Sequence, residues 1–162
     1  MRILIVSDTH GFSNNLIKDL KHMGEPDMLI HAGDSSGEDE YIKNLVHCPV
    51  KMVLGNNDYS MKLAYEEEFE VEGYRFLLTH GHRDHVYFGT DRLMYKAIER
   101  GVDVVVYGHT HIPSIEYDDN NNVYCVNPGS ISFPRQSGRK PSYMLCDIDK
   151  DGEIHFSIYY LE

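Results

Sequence analysis

The chain has 162 residues, 41% of them hydrophobic, and no apolar run approaches the length of a membrane span. That length fits one domain, residues 1–162, with a core of its own. A net charge of −11, from 26 acidic and 15 basic side chains, repels nucleic acid and argues against membrane or long nucleic-acid partners.

The first strand-like run is Arg2–Ser7. No charged segment and apolar stretch with a cleavage site lead into it, so no secretory signal is expected. Cys48, Cys125 and Cys146 are odd in number and lack metal-type pairing. They read as reduced, mostly buried thiols of a cytoplasmic protein. A helix is predicted over Asn14–His22, a strand over Met28–His31, a helix around Glu38–Leu45 and a strand over Val50–Leu54. This βαβαβ order predicts a parallel sheet with helices on its faces. Phe69–Val71 and Tyr74–Thr79 flank Glu72-Gly73, the signature of a tight hairpin. A helix over Asp91–Arg100 stops at Gly101 and leads into the apolar strand Val102–Tyr107. Ser114–Tyr117 pairs with Val123–Val126 across a polar turn, and Tyr143–Asp147 with Ile154–Tyr160 across another. The expected architecture is two sheets face to face with helices outside.

Five apolar runs end in oxygen or nitrogen donors: Asp8-Thr-His10, Gly33-Asp34, Gly55-Asn56-Asn57-Asp58, Thr79-His80-Gly81-His82 and Gly108-His109-Thr-His111. Each piece alone reads equally well as a turn former, a cap or a hydrogen-bonded histidine. Together they can assemble a two-metal hydrolytic centre. Imidazole, carboxylate and amide donors without thiolate suit Mn, Fe, Co, Ni or Zn better than Ca. A carboxylate shared by two cations holds them about 3.5–4 Å apart. Water shared between them ionises near neutral pH and can attack phosphorus in line.

Taken in order, these strings resemble the calcineurin-like metallophosphoesterase superfamily, from Arg2 to about Arg135. The small size, Thr-His-Gly-His around His80 and Asn127-Pro-Gly-Ser130 resemble its compact YfcE-like phosphodiesterase group. The resemblance implies a four-layer α/β/β/α sandwich. It implies that Asp8, His10 and His111 bind one metal, Asn56, His80 and His109 a second, and that Asp34 bridges both. It points to manganese first. It also implies a small phosphoester substrate and a homodimer. Many members carry histidine where this chain has Asn57, and that histidine protonates the leaving group. An amide can hydrogen-bond a phosphoryl oxygen but supplies no acid at pH 7. The small branch commonly lacks that histidine too.

Other residues take minor roles. His82 would share the face of His80 on an extended strand and reach substrate, standing beside Asn57 as a catalytic candidate. Arg135 is the candidate for anion contact. Asp58 is expected to orient a ligand such as His10. His31 is expected to hydrogen-bond beneath the site, and His22, His47 and His155 to lie on the surface. The competing reading is a non-catalytic scaffold or metal-binding regulator on the same fold. A retromer subunit uses that fold for assembly, with a degraded metal site.

Overall fold

Two five-stranded sheets, each built around parallel strands, make up the computed structural model, which describes residues 1–60 and 62–161. The first sheet contains β1 (Arg2–Val6), β2 (Met28–His31), β3 (Val50–Met52), β9 (Ser142–Ile148) and β10 (Ile154–Tyr160), in the order β10-β9-β1-β2-β3. Strands β1, β2 and β3 are parallel, as the alternating βαβαβ pattern predicts. The second contains β4 (Glu66–Val71), β5 (Tyr74–Thr79), β6 (Val104–Val106), β7 (Pro113–Asp118) and β8 (Val123–Pro128), in the order β4-β5-β6-β8-β7. Here β5, β6 and β8 are parallel. Helices α1 (Asn14–Met23) and α2 (Asp39–Lys43) belong to the first half, and α3 (Asp91–Arg100) to the second.

Side-chain alternation along the strands separates the layers. Ile3 and Ile5 of β1 turn inward to meet Phe76, Leu78, Val104 and Val106 of the facing sheet. Leu4 and Val6 turn outward and pack with Leu16 of α1 and Ile42 of α2. On the far side, Leu77 and Val105 pack with Leu93 and Ala97 of α3. The result is the four-layer α/β/β/α sandwich. The central strands are apolar on both faces because both are covered.

The tight hairpin forms at Glu72 (φ 49°) and Gly73 (φ 85°), the pair of positive φ angles that a type I′ turn requires. Helix α2 is shorter than the predicted Glu38–Leu45. The Asn44 side chain donates to the Glu40 carbonyl at 2.8 Å and competes with the helical ladder. Strand β4 starts three residues before the predicted Phe69. Its leading Glu66-Glu67-Glu68 carries no apolar signal, yet Glu66 pairs with Lys96 and Arg100, Glu67 with Lys51, and Glu68 with Arg75 and Arg100. Charge on an edge strand also blunts edge-to-edge association. Cys125 and Cys146 are buried and Cys48 half-buried, all as free thiols. No helix among the described residues is long and apolar enough to cross a membrane.

Candidate metal centre

The parallel strands of both sheets point their carboxyl ends to one edge of the sandwich. Ligands of open α/β sheets bind outside such ends. Asp8 and His10 follow β1, Asp34 follows β2, Asn56 follows β3, His80 follows β5, and His109 and His111 follow β6. Asp8, His10, Asp34, His109 and His111 all have left-handed backbone, with φ of 56°, 49°, 58°, 69° and 59°. That conformation costs energy in non-glycine residues and clusters at functional sites. Two glycines make room for the centre. A Cβ on Gly55 would lie 2.0 Å from Asp34 Oδ1, and one on Gly108 would lie 2.1 Å from Ser7 Oγ.

Asp8 Oδ1 sits at the middle. His111 Nε2 is 3.1 Å away, His10 Nε2 3.7 Å and His80 Nε2 3.9 Å. This oxygen is buried without a hydrogen-bond partner. Such an atom is expensive unless something satisfies it. The other oxygen, Oδ2, accepts from Ser7 Oγ at 2.6 Å and from the His109 backbone N–H at 3.1 Å. Asp34 Oδ2 stands between His10 Nε2 (3.6 Å) and His80 Nε2 (3.4 Å). Two groups of side chains therefore have donor atoms close enough to hold a cation: Asp8 with His10 and His111, and Asp8 with Asp34 and His80. Asn56 Oδ1 adds an oxygen 3.2 Å from His80 Nε2. His109 belongs to neither group, but its ring centroid lies 5.0 Å from that of His80.

Neighbouring carbonyls fix the tautomers. His80 Nδ1 donates to the Ala32 carbonyl at 2.7 Å, and His111 Nδ1 to the Phe133 carbonyl at 2.6 Å. Each ring then presents Nε2 as a lone pair to the centre, the usual support of a metal-binding histidine. The orphaned Asp8 oxygen, the fixed imidazoles and the nitrogen–oxygen donor set all fit divalent transition metals.

The electrostatics follow from burial and pairing. Burial pushes the Asp34 carboxyl up, but the His80 imidazole beside it and hydrogen bonds from Asn57 outweigh it and hold the group below the usual carboxylate range. Asp8 is likewise lowered, with His111, His80 and Ser7 outweighing burial. His80 is raised because Asp34 and Asp8 stabilise its cation against burial. His10 is lowered by burial, in part offset by Asp34 and Asp8. Burial, aided by the charge of His80, pushes His109 down to about 4.

The remaining predicted residues surround this cluster. Asn57 grips Asp34 twice, backbone N–H to Oδ1 and side-chain amide to Oδ2, both at 2.8 Å. The strand ends at Thr79, so His82 does not extend β5. It opens a 3₁₀ turn over His82–Asp84 after the left-handed Gly81. Its ring still lies 5.4 Å from that of His80 and 6.0 Å from that of His109. Arg135 lines a cleft beside His10 and His111, with its guanidinium on the Tyr87 hydroxyl. Asp58 does not orient His10. It accepts from the backbone N–H groups of Asp34, Ser36 and Gly55 and ties two ligand loops together. His31 lies beneath the site as expected, its ring bonded to Thr9 Oγ1 at 3.1 Å and to the Gly33 N–H at 3.2 Å. His22, His47 and His155 are exposed.

Several supporting residues receive no role from the sequence. Ser130 Oγ donates to the Asp8 carbonyl at 2.8 Å, and Asn127 Nδ2 to the Gly108 carbonyl at 2.9 Å. Tyr87 donates its hydroxyl to the His109 carbonyl at 3.1 Å and packs its ring 4.6 Å from the imidazole. Only the Asn127-Pro-Gly-Ser130 string could have pointed to the first two.

The chain is similar in sequence and fold to known proteins. The model of the calcineurin-like phosphoesterase superfamily domain matches residues 1–151. A Mycoplasma genitalium protein named "Probable metallophosphoesterase" is 33% identical over 167 residues, covering 100% of this chain and 96% of its own. The phosphodiesterase YfcE of Escherichia coli K12 is 40% identical over 79 residues, 49% of this chain and 38% of YfcE. Vps29 of Entamoeba histolytica, crystallised with Zn²⁺, shares the fold at a TM-score of 0.79 over 99% of both chains, with 21% identity. The chain belongs to the calcineurin-like metallophosphoesterase superfamily and resembles its YfcE-like members.

Proposed function

We propose that the protein is a divalent-metal-dependent phosphodiesterase acting on small substrates in the cytoplasm. The observation that carries this reading is Asp8 Oδ1, buried, unpartnered and faced by three imidazole nitrogens. Asp8, His10 and His111 would hold one cation, and Asn56, His80 and His109 a second, with Asp34 reaching both. Manganese suits this set, with iron, cobalt, nickel or zinc as alternatives. When bound, two such cations supply an activated water and neutralise phosphoryl charge.

The chain's own residues do the rest. Asn57 clamps Asp34 in one orientation, so the carboxylate is positioned before substrate arrives. Arg135 offers its guanidinium to the phosphoryl oxygens across the cleft, held by Tyr87. In-line attack by water on phosphorus breaks the bond to the departing oxygen, which must then gain a proton. We assign that proton to His82, whose half-buried ring lies 5.4 Å from that of His80.

The test is hydrolysis of bis(p-nitrophenyl) phosphate with metal content measured on the same sample. A chelator stops turnover and Mn²⁺ restores it. Fully metal-loaded protein that hydrolyses no ester in a broad panel would instead favour the scaffold or regulator reading.

A further inference from the structure

Beside His10 and His111 lies an open cleft of about 960 Å³, floored by Phe12 and Phe133 and rimmed by Arg135 and Arg139. Phosphoester chemistry alone does not call for an aromatic floor. Phe12 is 58% exposed and Phe133 43% exposed, and their rings meet edge to face with centroids 5.3 Å apart. Phe133 also packs edge-on to His10, centroids 5.5 Å apart, which places the floor next to a candidate ligand.

This floor is held rigidly although it is built from loops. The Phe133 N–H donates to Ser130 Oγ at 2.7 Å and its carbonyl accepts from His111. Ser132 Oγ donates to the Phe12 carbonyl at 2.7 Å and joins the two aromatic loops. The Arg135 N–H donates to the His111 carbonyl at 3.1 Å. An aromatic pair fixed in place yet open to solvent is preorganised to stack on a planar ring.

The charge is equally local. Residues 129–141 carry Arg135, Arg139 and Lys140 and no acidic side chain, in a chain of net charge −11. The arginine ion pairs among the described residues belong to Arg2, Arg75 and Arg100. Arg135 and Arg139 therefore keep their charge available to a ligand.

Resting on the phosphodiesterase reading, we infer that the cleft takes a nucleotide: a base stacked on the face of Phe133, which Phe12 braces edge to face, and a phosphate beyond the scissile one on Arg139. Stacking suits any base, because every base has a π-face. Arginine suits the second phosphate, because its planar fork matches phosphate oxygens.

Two measurements test this independently. The first compares kcat/KM for two p-nitrophenyl diesters with the same scissile bond, one of adenosine 3′,5′-bisphosphate through its 5′-phosphate and one of methyl phosphate. The native enzyme prefers the nucleotide ester by about tenfold or more. Phe133→Ala removes the part of the ratio due to the base, Phe133→Trp restores it, and Arg139→Ala removes the part due to the 3′-phosphate. The second is calorimetric binding of adenosine 3′,5′-bisphosphate to the Mn²⁺-loaded protein, which needs no turnover. Phe133→Ala and Arg139→Ala each weaken Kd about tenfold. An active enzyme with a native ratio of one, or a Kd indifferent to both residues, overturns the nucleotide cleft and leaves the phosphodiesterase. Ligand binding that depends on both residues in a protein that hydrolyses neither ester overturns the phosphodiesterase and keeps the cleft.

Discussion

His10 and His80 both lie near the same oxygen of Asp34, at 3.6 and 3.4 Å, but in different surroundings. The His80 side chain is 0% exposed and that of His10 21% exposed. His80 is locked by the Ala32 carbonyl, whereas His10 leans on the ring of Phe133. Burial alone would lower both imidazoles. The carboxylates reverse that effect at His80 and fail to do so at His10. One half of the centre is thus a buried, charged interior, and the other opens on the cleft lined by His10 and His111. The difference shows that ligand type alone does not set the behaviour of each half. The depth of each residue in the sandwich matters as much.

Asp34 is what the two halves share, and removing its charge should produce the largest effect. Under the proposed function, Asp34→Asn puts an amide where two cations would share a carboxylate. Phosphoester hydrolysis falls by more than the roughly 100-fold typical of losing an outer-shell partner. Circular dichroism stays native, because the residue lies at a strand end outside the apolar layers. A folded, metal-loaded variant with near-normal turnover would show that the halves do not act together.

Acid should then separate the halves. The raised His80 pKa means that a proton competes for Nε2 as pH falls through a value above 6.5. The lowered pKa of His10 keeps that ring unprotonated over the same interval. Acidification therefore releases metal first from the His80 side, while the His10 side keeps its metal. Equilibrium dialysis with metal analysis reads this directly. Simultaneous loss of both metals would mean that the shared carboxylates override the difference in depth.

The glycine beneath the shared carboxylate gives a smaller effect. A Cβ at Gly55 would overlap Asp34 Oδ1, whereas one at Gly37 meets nothing within 4 Å. Gly55→Ala costs about 1–3 kcal/mol by urea denaturation through this overlap and the forced shift of the carboxylate. It also weakens metal binding on both sides. A stable variant with unchanged metal affinity would show that the Asp34 loop yields without cost.

The layers were far more legible in the sequence than the support of the centre. Continuous runs such as Ile3-Leu-Ile-Val6 announce a strand covered on both faces, and Asp8-x-His10 and His109-x-His111 announce donors at strand ends. Glu66-Glu67-Glu68 was missed as strand because its partners, among them Lys96 and Arg100, come from a distant helix. His82 left the strand because Gly81 takes a left-handed backbone, which strand alternation does not encode. Asp58 binds backbone N–H groups rather than a ligand ring, since the loops at Asp34 and Gly55 have orphan donors to satisfy. Tyr87 and Phe133 reach the centre through backbone carbonyls. A contact whose one partner is a backbone carbonyl can be made to any residue type there, so it leaves no motif to read.

His31 pins the loops of both halves from below and yields the smallest predicted effect. Its ring joins Thr9, between Asp8 and His10, to Gly33, next to Asp34. Burial pushes its pKa down to about 4, with Asp58 and Asp8 offsetting only part of that shift. The folded protein keeps the ring neutral where the unfolded chain, with an ordinary value of 6.5, takes up a proton. The resulting stabilisation is complete above pH 6.5 and is lost as pH falls toward 4. Between pH 7 and 5 this amounts to about 2 kcal/mol. Asp8 and Asp34 are depressed below 3.8, so their losses come at lower pH. His80 is raised and contributes with the opposite sign, stabilising the fold as pH falls. The clean measure is therefore a difference. Urea unfolding of metal-free native protein and of His31→Gln at both pH values isolates the ring. The native protein loses about 2 kcal/mol more than the variant, because glutamine can bridge Thr9 and Gly33 but cannot titrate. Equal losses would show that His31 does not stay neutral beneath the centre and that the two halves are not pinned through it.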